Sequence, residues 1–267
     1  MEWRFAVKVL VSGIHSGLGR FVHERMGGQG LVRNMPDGER QKILDDDYDV
    51  IIHCAFNSGR DIDQAGLHAY LDDNVFLSNA LTGCRHKKFI YLSSVEVYPL
   101  NDDLHSEASV IKVDSLRGIY AVSKLASEAI IQNNCDNFLI LRPTTLLGEY
   151  SRKNNVVRLI EGMGPAPTLQ GESVYNFVTH ADVVGFIEYA IQKDLRGIYN
   201  VASSGNITLA EVAALLGRKV EFGVHTYKVG NIDNKKIRDV FPVFSMTSKE
   251  CLMRFVQGKK KWLEKEF

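Results

Sequence analysis

The sequence predicts an α/β fold in which a doubly wound parallel sheet carries a small C-terminal lobe, and three observations predict it. Apolar runs bounded by turn residues alternate with segments of helical period, the pattern of successive βαβ units. A glycine-rich turn, Gly13, Gly17 and Gly19, joins the first apolar run to the first helical segment. Past Leu146 the texture changes, with Gly162, Gly164, Pro165, Pro167 and Gly171 breaking the chain into short pieces.

In chain order, strands are expected at 6–12, 31–33, 50–54, 88–93, 137–141 and 197–201. The runs VIIHCA and KFIYLSS are continuously apolar, as in parallel strands buried on both faces. Helices are expected at 18–26, 67–84, 115–133 and 181–192. Further on, Thr208 with Glu211 and Thr247 with Glu250 have the spacing of capping boxes, so each opens a helix. These C-terminal helices read as a lobe over the ligand edge of the sheet.

A chain of 267 residues, 45% of them hydrophobic, can bury one substantial core and an appended lobe. Its 32 basic and 32 acidic residues leave no net field for a phosphate backbone, so nucleic-acid binding is not expected. The tail lysines Lys259, Lys260 and Lys261 are followed by Glu264 and Glu266. Cys54, Cys84, Cys135 and Cys251 have no C-x-x-C spacing, which suits free thiols in a reducing cytoplasm, and no metal site is expected. After Glu2 and Arg4 the chain enters an apolar strand without the features of a signal peptide. No apolar run approaches the roughly 18 residues of a membrane span.

Between strand and helix, glycines permit a tight turn and remove the Cβ atoms that would hold a pyrophosphate away from the backbone. Gly13, His15, Ser16, Gly17, Leu18 and Gly19 form that turn, and the helix N-terminus behind them offers free N–H groups to an anion. A dinucleotide site that prefers NAD usually ends its second strand with a carboxylate for the ribose 2′-hydroxyl. Here the second strand is expected to end in Arg33 and Asn34, and an arginine suits a 2′-phosphate, so the expected cofactor is NADP in preference to NAD. Asp37 and Glu39, a few residues on, weigh the other way.

Tyr120 and Lys124 are four residues apart in a helical segment and share a face. An ammonium beside a phenol favours the phenolate, which equips the tyrosine to donate or accept a proton near neutral pH. Tyr189 and Lys193 repeat the spacing, but no serine-bearing strand end precedes them at a suitable distance, so that pair is taken as structural. Before Tyr120, the strand KKFIYLSS closes on Ser93 and Ser94 at the edge where ligands bind in open α/β folds.

The segments VLVSGIHSGLG, DVIIHCAF, DNVFLSNAL, KFIYLSSVEVYP, GIYAVSKLASE, FLILRPTTLLGEY, YNFVTHADVVGFIEYAI and GIYNVASSGNITLAEVA together resemble the extended short-chain dehydrogenase/reductase superfamily, the NAD-dependent epimerase/dehydratase family. The resemblance implies a Rossmann-type doubly wound sheet, with an NAD(P)-binding domain at 1–145 plus 174–202 and a small substrate-binding lobe at 146–173 plus 203–267. It implies Ser94 as the hydroxyl that orients substrate, Tyr120 as acid/base and Lys124 as the group that bonds the nicotinamide ribose. His53, Cys54 and Ala55 would lie near the adenosine half, with Asn74 in the following helix, and Pro143 to Thr145 beside the nicotinamide. Homodimerisation through the helices at 67–84 and 115–133 is implied in the same way.

The chain departs from the family's pattern in places. Its glycines are spaced by three residues and then one, where extended members usually have two and two. The stretch from Arg33 to Asp49 is too short for the usual intervening strand and helices, rather as in dTDP-4-dehydrorhamnose reductases. Tyr175 occupies the place of an arginine that clamps a nucleotide-sugar diphosphate, with Arg142, Arg152 and Arg158 as possible substitutes. Glu96 stands at one member of the dehydratases' acidic pair, but Val95 takes its partner's place, which argues against a dehydratase. Glu96, Asn155 and Tyr175 are candidate substrate contacts. The expected activity is reduction of a keto group on a sugar, nucleotide-linked or otherwise decorated. An epimerase that retains NAD and a catalytically silent NADP-sensing protein are the alternatives.

Overall fold

A first strand of four buried residues, β1 (Val9–Ser12), runs into the glycine turn and then into α1 (Gly17–Met26). The computed structural model describes residues 7–59, 62–162 and 166–263; Glu2, Arg4, Ala6, Gly164, Pro165, Glu264 and Glu266 lie outside them, as do the side chains of Lys260 and Lys261. The next elements are β2 (Gln29–Leu31), α2 (Asp37–Leu44) and β3 (Asp47–His53). The second strand thus ends at Leu31, two residues short of Arg33. Strand geometry stops there because only Gln29, Gly30 and Leu31 find partners on β1. α2 was not expected: of its residues DGERQKIL only Ile43 is buried, so it carries almost no apolar stripe.

The single helix expected at 67–84 is three pieces, α3 (Gln64–Leu71), a π-helical turn at Asp72–Phe76 and α4 (Leu77–Thr82). Asp63 caps the first piece by accepting the N–H of Gly66 at 2.8 Å. β4 (Arg85–Leu92) follows, then a 3₁₀ turn at Val95–Val97, the short β5 (Leu104–His105) and α5 (Gly118–Asn134). α5 begins later than expected because a separate 3₁₀ turn holds Val113–Ser115 and Gly118 enters with φ +72°. Then come β6 (Phe138–Pro143), β7 (Thr145–Leu147), α6 (Asn155–Glu161), β8 (Val174–Tyr175), β9 (Phe177–Thr179), α7 (His180–Gln192) and β10 (Gly197–Val201). The chain closes with β11 (Ile207–Thr208), α8 (Leu209–Leu215), β12 (Asn231–Ile232), α9 (Lys235–Val240) and α10 (Ser248–Leu263).

Six strands form the central sheet in the order β10-β6-β4-β3-β1-β2, and the five from β6 to β2 run parallel. This is the doubly wound, Rossmann-like architecture that the alternation predicted. From β1 the chain moves first to β2 on one side and then to β3 on the other, so the winding reverses between β1 and β3. Ligands bind outside the carboxyl ends of strands at such a reversal.

By density of contacts the chain divides into two units. The first comprises residues 1–99, 110–142 and 188–199, and the second 100–109, 143–187 and 200–267. In the first unit Leu10, Ile51, Phe89 and Tyr91 of the sheet pack with Leu81 and Ile131 of the helices, all at 0% exposure, in one core. In the second unit Leu147, Phe177, Leu209, Val212 and Leu252 make a separate core. Both expected capping boxes are present there: Thr208 and Glu211 bond reciprocally at the start of α8, and Thr247 and Glu250 do so before α10. All four cysteines are free thiols. Among the described residues no helix is long and apolar enough to cross a membrane, and no three His, Cys, Asp or Glu residues are grouped to hold a metal ion.

Candidate active site

The glycine turn lies at the winding reversal, and two of its glycines are obligatory by contact. A Cβ built on Gly13 falls 2.7 Å from the backbone nitrogen of Ala55, just past β3, and Gly13 has φ +81°. On Gly19 a Cβ falls 2.4 Å from the carbonyl oxygen of Gly13. Gly17 differs: no atom lies within 4 Å of its Cβ position, and its glycine is required by φ +59° alone. Leu18 is buried beneath the turn, whereas His15 and Ser16 are exposed on it. α1 has no acidic residue in its first turn, and Ser16 makes no side-chain cap. The N-terminal N–H groups and dipole of α1 are therefore met by neither a Ser16 cap nor a first-turn carboxylate, and they favour an anion. Gly13 and Gly19 thus let the turn close against the loop after β3 and the start of α1, while the open Cβ position at Gly17 is what a closely held pyrophosphate requires, so these residues fit a dinucleotide.

Behind the turn runs a buried chain of hydrogen bonds that the sequence did not reveal. Ser78 Oγ lies 2.8 Å from the carbonyl oxygen of Asn74, and a carbonyl only accepts, so Ser78 donates there. His53 Nε2, 2.9 Å from Ser78 Oγ, must then carry a proton and donate to it. Its Nδ1 is accordingly an acceptor, taking the hydroxyl proton of Ser12 at 2.7 Å, while Ser12 Oγ accepts the N–H of Ala55 at 3.2 Å. One tautomer satisfies every member of this chain. Burial, with a smaller contribution from the charge of Lys124, pushes the His53 imidazole down to about 3.

The unfolded chain binds a proton on this histidine near its ordinary 6.5 while the folded chain does not, so stability is intact above 6.5 and falls as pH drops from there toward 3. A His53→Gln variant should show a flatter dependence of its urea midpoint over that window. Equal slopes in the two proteins would reject the assignment. The side chain of His53 faces Ser12 and Ser78 rather than solvent, so what this segment presents beside Gly13 is the backbone of Cys54 and Ala55.

Asn74 sits in the π-helical turn and grips the loop after β3. Its Oδ1 accepts the N–H of Asn57 at 2.6 Å and its Nδ2 donates to the Asn57 carbonyl at 3.0 Å. Its own carbonyl also accepts from Ser127 of α5 at 3.1 Å. The π turn and α5 therefore share one buried polar anchor.

The proton-transfer candidates are arranged around the end of β4. Lys124, 3% exposed, donates from Nζ to the carbonyl of Leu92 at 2.6 Å. Its ammonium also lies 3.8 Å from the centroid of the Phe56 ring and 4.8 Å from that of Tyr91. The Tyr120 ring meets the same Phe56 edge to face at 5.1 Å. Ser94, two residues past Leu92, caps the 3₁₀ turn by accepting the N–H of Glu96 at 3.1 Å. Ser94, Tyr120 and Lys124 all belong to the first unit. Phe56 touches both the tyrosine and the lysine, and nothing in its local sequence announced that.

Arg142 is no substitute diphosphate clamp. It is buried, and its guanidinium donates to both carboxylate oxygens of Glu128, at 3.0 and 2.6 Å, and to the Tyr98 hydroxyl at 2.7 Å. Glu128 also accepts a hydrogen bond from Ser93 Oγ. Glu128 follows Lys124 by one helical turn and was not singled out in the sequence. Glu96 is half-buried beside Val95, which is 7% exposed.

Arg33 and Asn34 are both exposed past β2, and Arg33 pairs with Asp73 of the π turn at 2.6 Å. Pro143 ends β6 and Thr145 opens β7, where its N–H donates to Asn176 at 3.0 Å. In the second unit, Tyr175 is 5% exposed and stacks with Phe177 and Tyr227 at 5.6 and 4.8 Å, which makes it a core aromatic rather than a presented ligand contact. Asn155 holds the backbone N–H of Thr168 at 3.0 Å, and Arg152 and Arg158 flank it in the same unit. The second Tyr–Lys pair has Tyr189 in α7 and Lys193 exposed beyond the helix end.

A parallel sheet with a glycine cradle at its winding reversal defines a dinucleotide-binding α/β protein. The chain belongs to the NAD-dependent epimerase/dehydratase family, whose model matches residues 9–202. No curated protein matches it. Among solved structures it is similar to UDP-glucuronic acid 4-epimerase from Bacillus cereus in complex with UDP-glucuronic acid and NAD, at 18% identity and TM-score 0.75 over 96% of this chain and 99% of that one. It is also similar to dTDP-4-dehydrorhamnose reductase from Bacillus anthracis in complex with NADP, at 18% identity and TM-score 0.73 over 94% and 99%. A third is UDP-N-acetylglucosamine 4-epimerase from Methanobrevibacter ruminantium, at 17% identity and TM-score 0.75 over 98% and 99%.

Proposed function

We propose that this protein is an NAD(P)-dependent oxidoreductase that transfers hydride to or from a sugar, a nucleotide-linked one, and that it works as a keto-sugar reductase. The observation that carries the reading is Lys124. Burying an ammonium is costly, yet this one is 3% exposed and fixed at the end of the strand that continues into Ser94, one helical turn from Tyr120. With the pyrophosphate of a dinucleotide held at the glycine turn, its nicotinamide would supply or accept the hydride. Ser94, whose oxygen already accepts from Glu96, keeps its hydroxyl proton to donate to the substrate oxygen. Tyr120 gives its proton to that oxygen as negative charge develops, and the Lys124 ammonium favours the phenolate left behind.

Tyr120→Phe should lower kcat by about 10²–10⁴-fold, the usual worth of a positioned acid, with dinucleotide affinity by calorimetry nearly unchanged. Turnover at the wild-type rate would reject the role. The epimerases among the similar structures support a second reading, in which NAD is retained and hydride returns to the opposite face. Purified protein carrying the absorbance of bound cofactor, with no net consumption of reduced nicotinamide, would favour it. Binding without turnover across a panel of sugars would instead mark a silent sensor. Phe76 at 52% and Val122 at 41% exposure, on the π turn and α5, support a homodimer through these helices, which sedimentation at several concentrations would test. The free thiols fit work in a reducing cytoplasm.

A further inference from the structure

Cofactor choice in this fold is made just past the second strand, where a carboxylate receives the ribose 2′-hydroxyl or an arginine receives a 2′-phosphate. β2 ends at Leu31, opposite Ser12, and Arg33 follows two residues on. Arg33 would serve a phosphate if its charge were available, but Asp73 Oδ2 lies 2.6 Å from its guanidinium. The two partners are held unequally: the Asp73 side chain is 16% exposed, and that of Arg33 is 63% exposed.

Asp73 is fixed from behind. The same Oδ2 accepts from Asn57 Nδ2 at 3.0 Å, and Asn57 is itself gripped through its N–H and carbonyl by Asn74. In a regular helix successive side chains diverge by about 100°. Here the neighbours Asp73 and Asn74 both reach Asn57, an arrangement found in the π-helical turn at Asp72–Phe76. The turn therefore delivers a carboxylate, from a different element, to the place where the second strand offers only a cation.

We propose that Asp73 is the residue that sets cofactor specificity, neutralising Arg33 so that the adenosine side accepts a 2′-hydroxyl and disfavours a 2′-phosphate, which makes NAD the cofactor. This reverses the preference that Arg33 alone suggests. A dianionic phosphate meets a pair of zero net charge whose carboxylate repels it, whereas a hydroxyl can donate to that carboxylate. The inference rests on the reading that the glycine turn binds a nicotinamide dinucleotide.

The test is calorimetric titration of the protein with NADH and with NADPH, which needs no substrate. Wild-type protein should bind NADH at least tenfold more tightly than NADPH. Asp73→Asn should move that ratio at least tenfold toward NADPH, and adding Arg33→Ala should cancel the shift. Should Asp73→Asn fail to fold, Asp73→Ser serves, with the same shift expected and the same cancellation by Arg33→Ala. A wild-type preference for NADPH, an unchanged ratio in a folded Asp73→Asn or Asp73→Ser protein, or a shift that Arg33→Ala leaves standing would each overturn the proposal. If wild-type protein binds neither dinucleotide, the dinucleotide reading itself fails, and that outcome is distinct from binding both equally, which defeats the specificity claim alone.

Discussion

Arg142→Met is expected to cost about 3–5 kcal/mol of stability, the range for removing one partner of a buried ion pair. Glu128 is 0% exposed, and once the guanidinium is gone its carboxylate keeps the Ser93 hydroxyl as a donor but loses both bonds from Arg142. Tyr98 loses its bond to Arg142 as well. The thermal midpoint should fall by roughly 10 °C, given the few degrees per kcal/mol typical of a chain this size. Glu128→Leu combined with Arg142→Met should recover most of the loss, because replacing a buried pair by apolar groups is often neutral or better. If the double variant is as unstable as the single ones combined, the pair is not the source of the effect. Ser93 adjoins Ser94 in the turn after β4, so the single variant should also lower turnover beyond what its stability explains.

Gly13→Val is expected to abolish dinucleotide binding, with affinity down at least about 100-fold in calorimetry, which at 1.4 kcal/mol per tenfold is about 3 kcal/mol. The added Cβ would meet the backbone nitrogen and Cα of Ala55 at 2.7 and 2.8 Å, and neither atom can move without parting the ends of β1 and β3. A β-branched residue at φ +81° is strained besides. Gly27→Ala, at the C-terminal end of α1 and with φ +71°, is the control. Nothing lies within 4 Å of that Cβ, so only the backbone cost of about 1 kcal/mol remains and binding should survive. Equal losses at the two positions would show that the β1–β3 contact is not what shapes the cradle.

What the sequence made legible follows from the range over which each signal acts. The glycine turn is local: three glycines between an apolar run and a helix start state their conformation in one stretch of chain. Tyr120 and Lys124 are one helical turn apart and are likewise readable. The sequence offers Arg142 as one of three possible substitutes for a diphosphate clamp because its partner is 14 residues away on another element, and only folding brings them together. His53 had a resemblance to place it but none to orient it; its role depends on Ser12 and Ser78, which are 41 and 25 residues distant. α2 escaped notice for a different reason: its single buried side chain leaves no periodicity to detect. The π turn adds its irregularity inside a segment whose composition is that of an ordinary helix, so the pairing of Asp73 with Arg33 had no sequence signature.

The bonds from Ala55 through Ser12, His53 and Ser78 to the carbonyl of Asn74 all point one way. Reversing any link would require every hydroxyl and the ring tautomer to reverse together, and Asn74 offers no proton with which to do it. Dipoles aligned head to tail strengthen one another in a medium of low polarity. An imidazole held down at about 3 adds no charge to this row anywhere near neutrality. The row is thus a permanent electret built into the end of the sheet, and its own contribution to the potential at the glycine turn is the same whether the surrounding solution is mildly acidic or mildly alkaline.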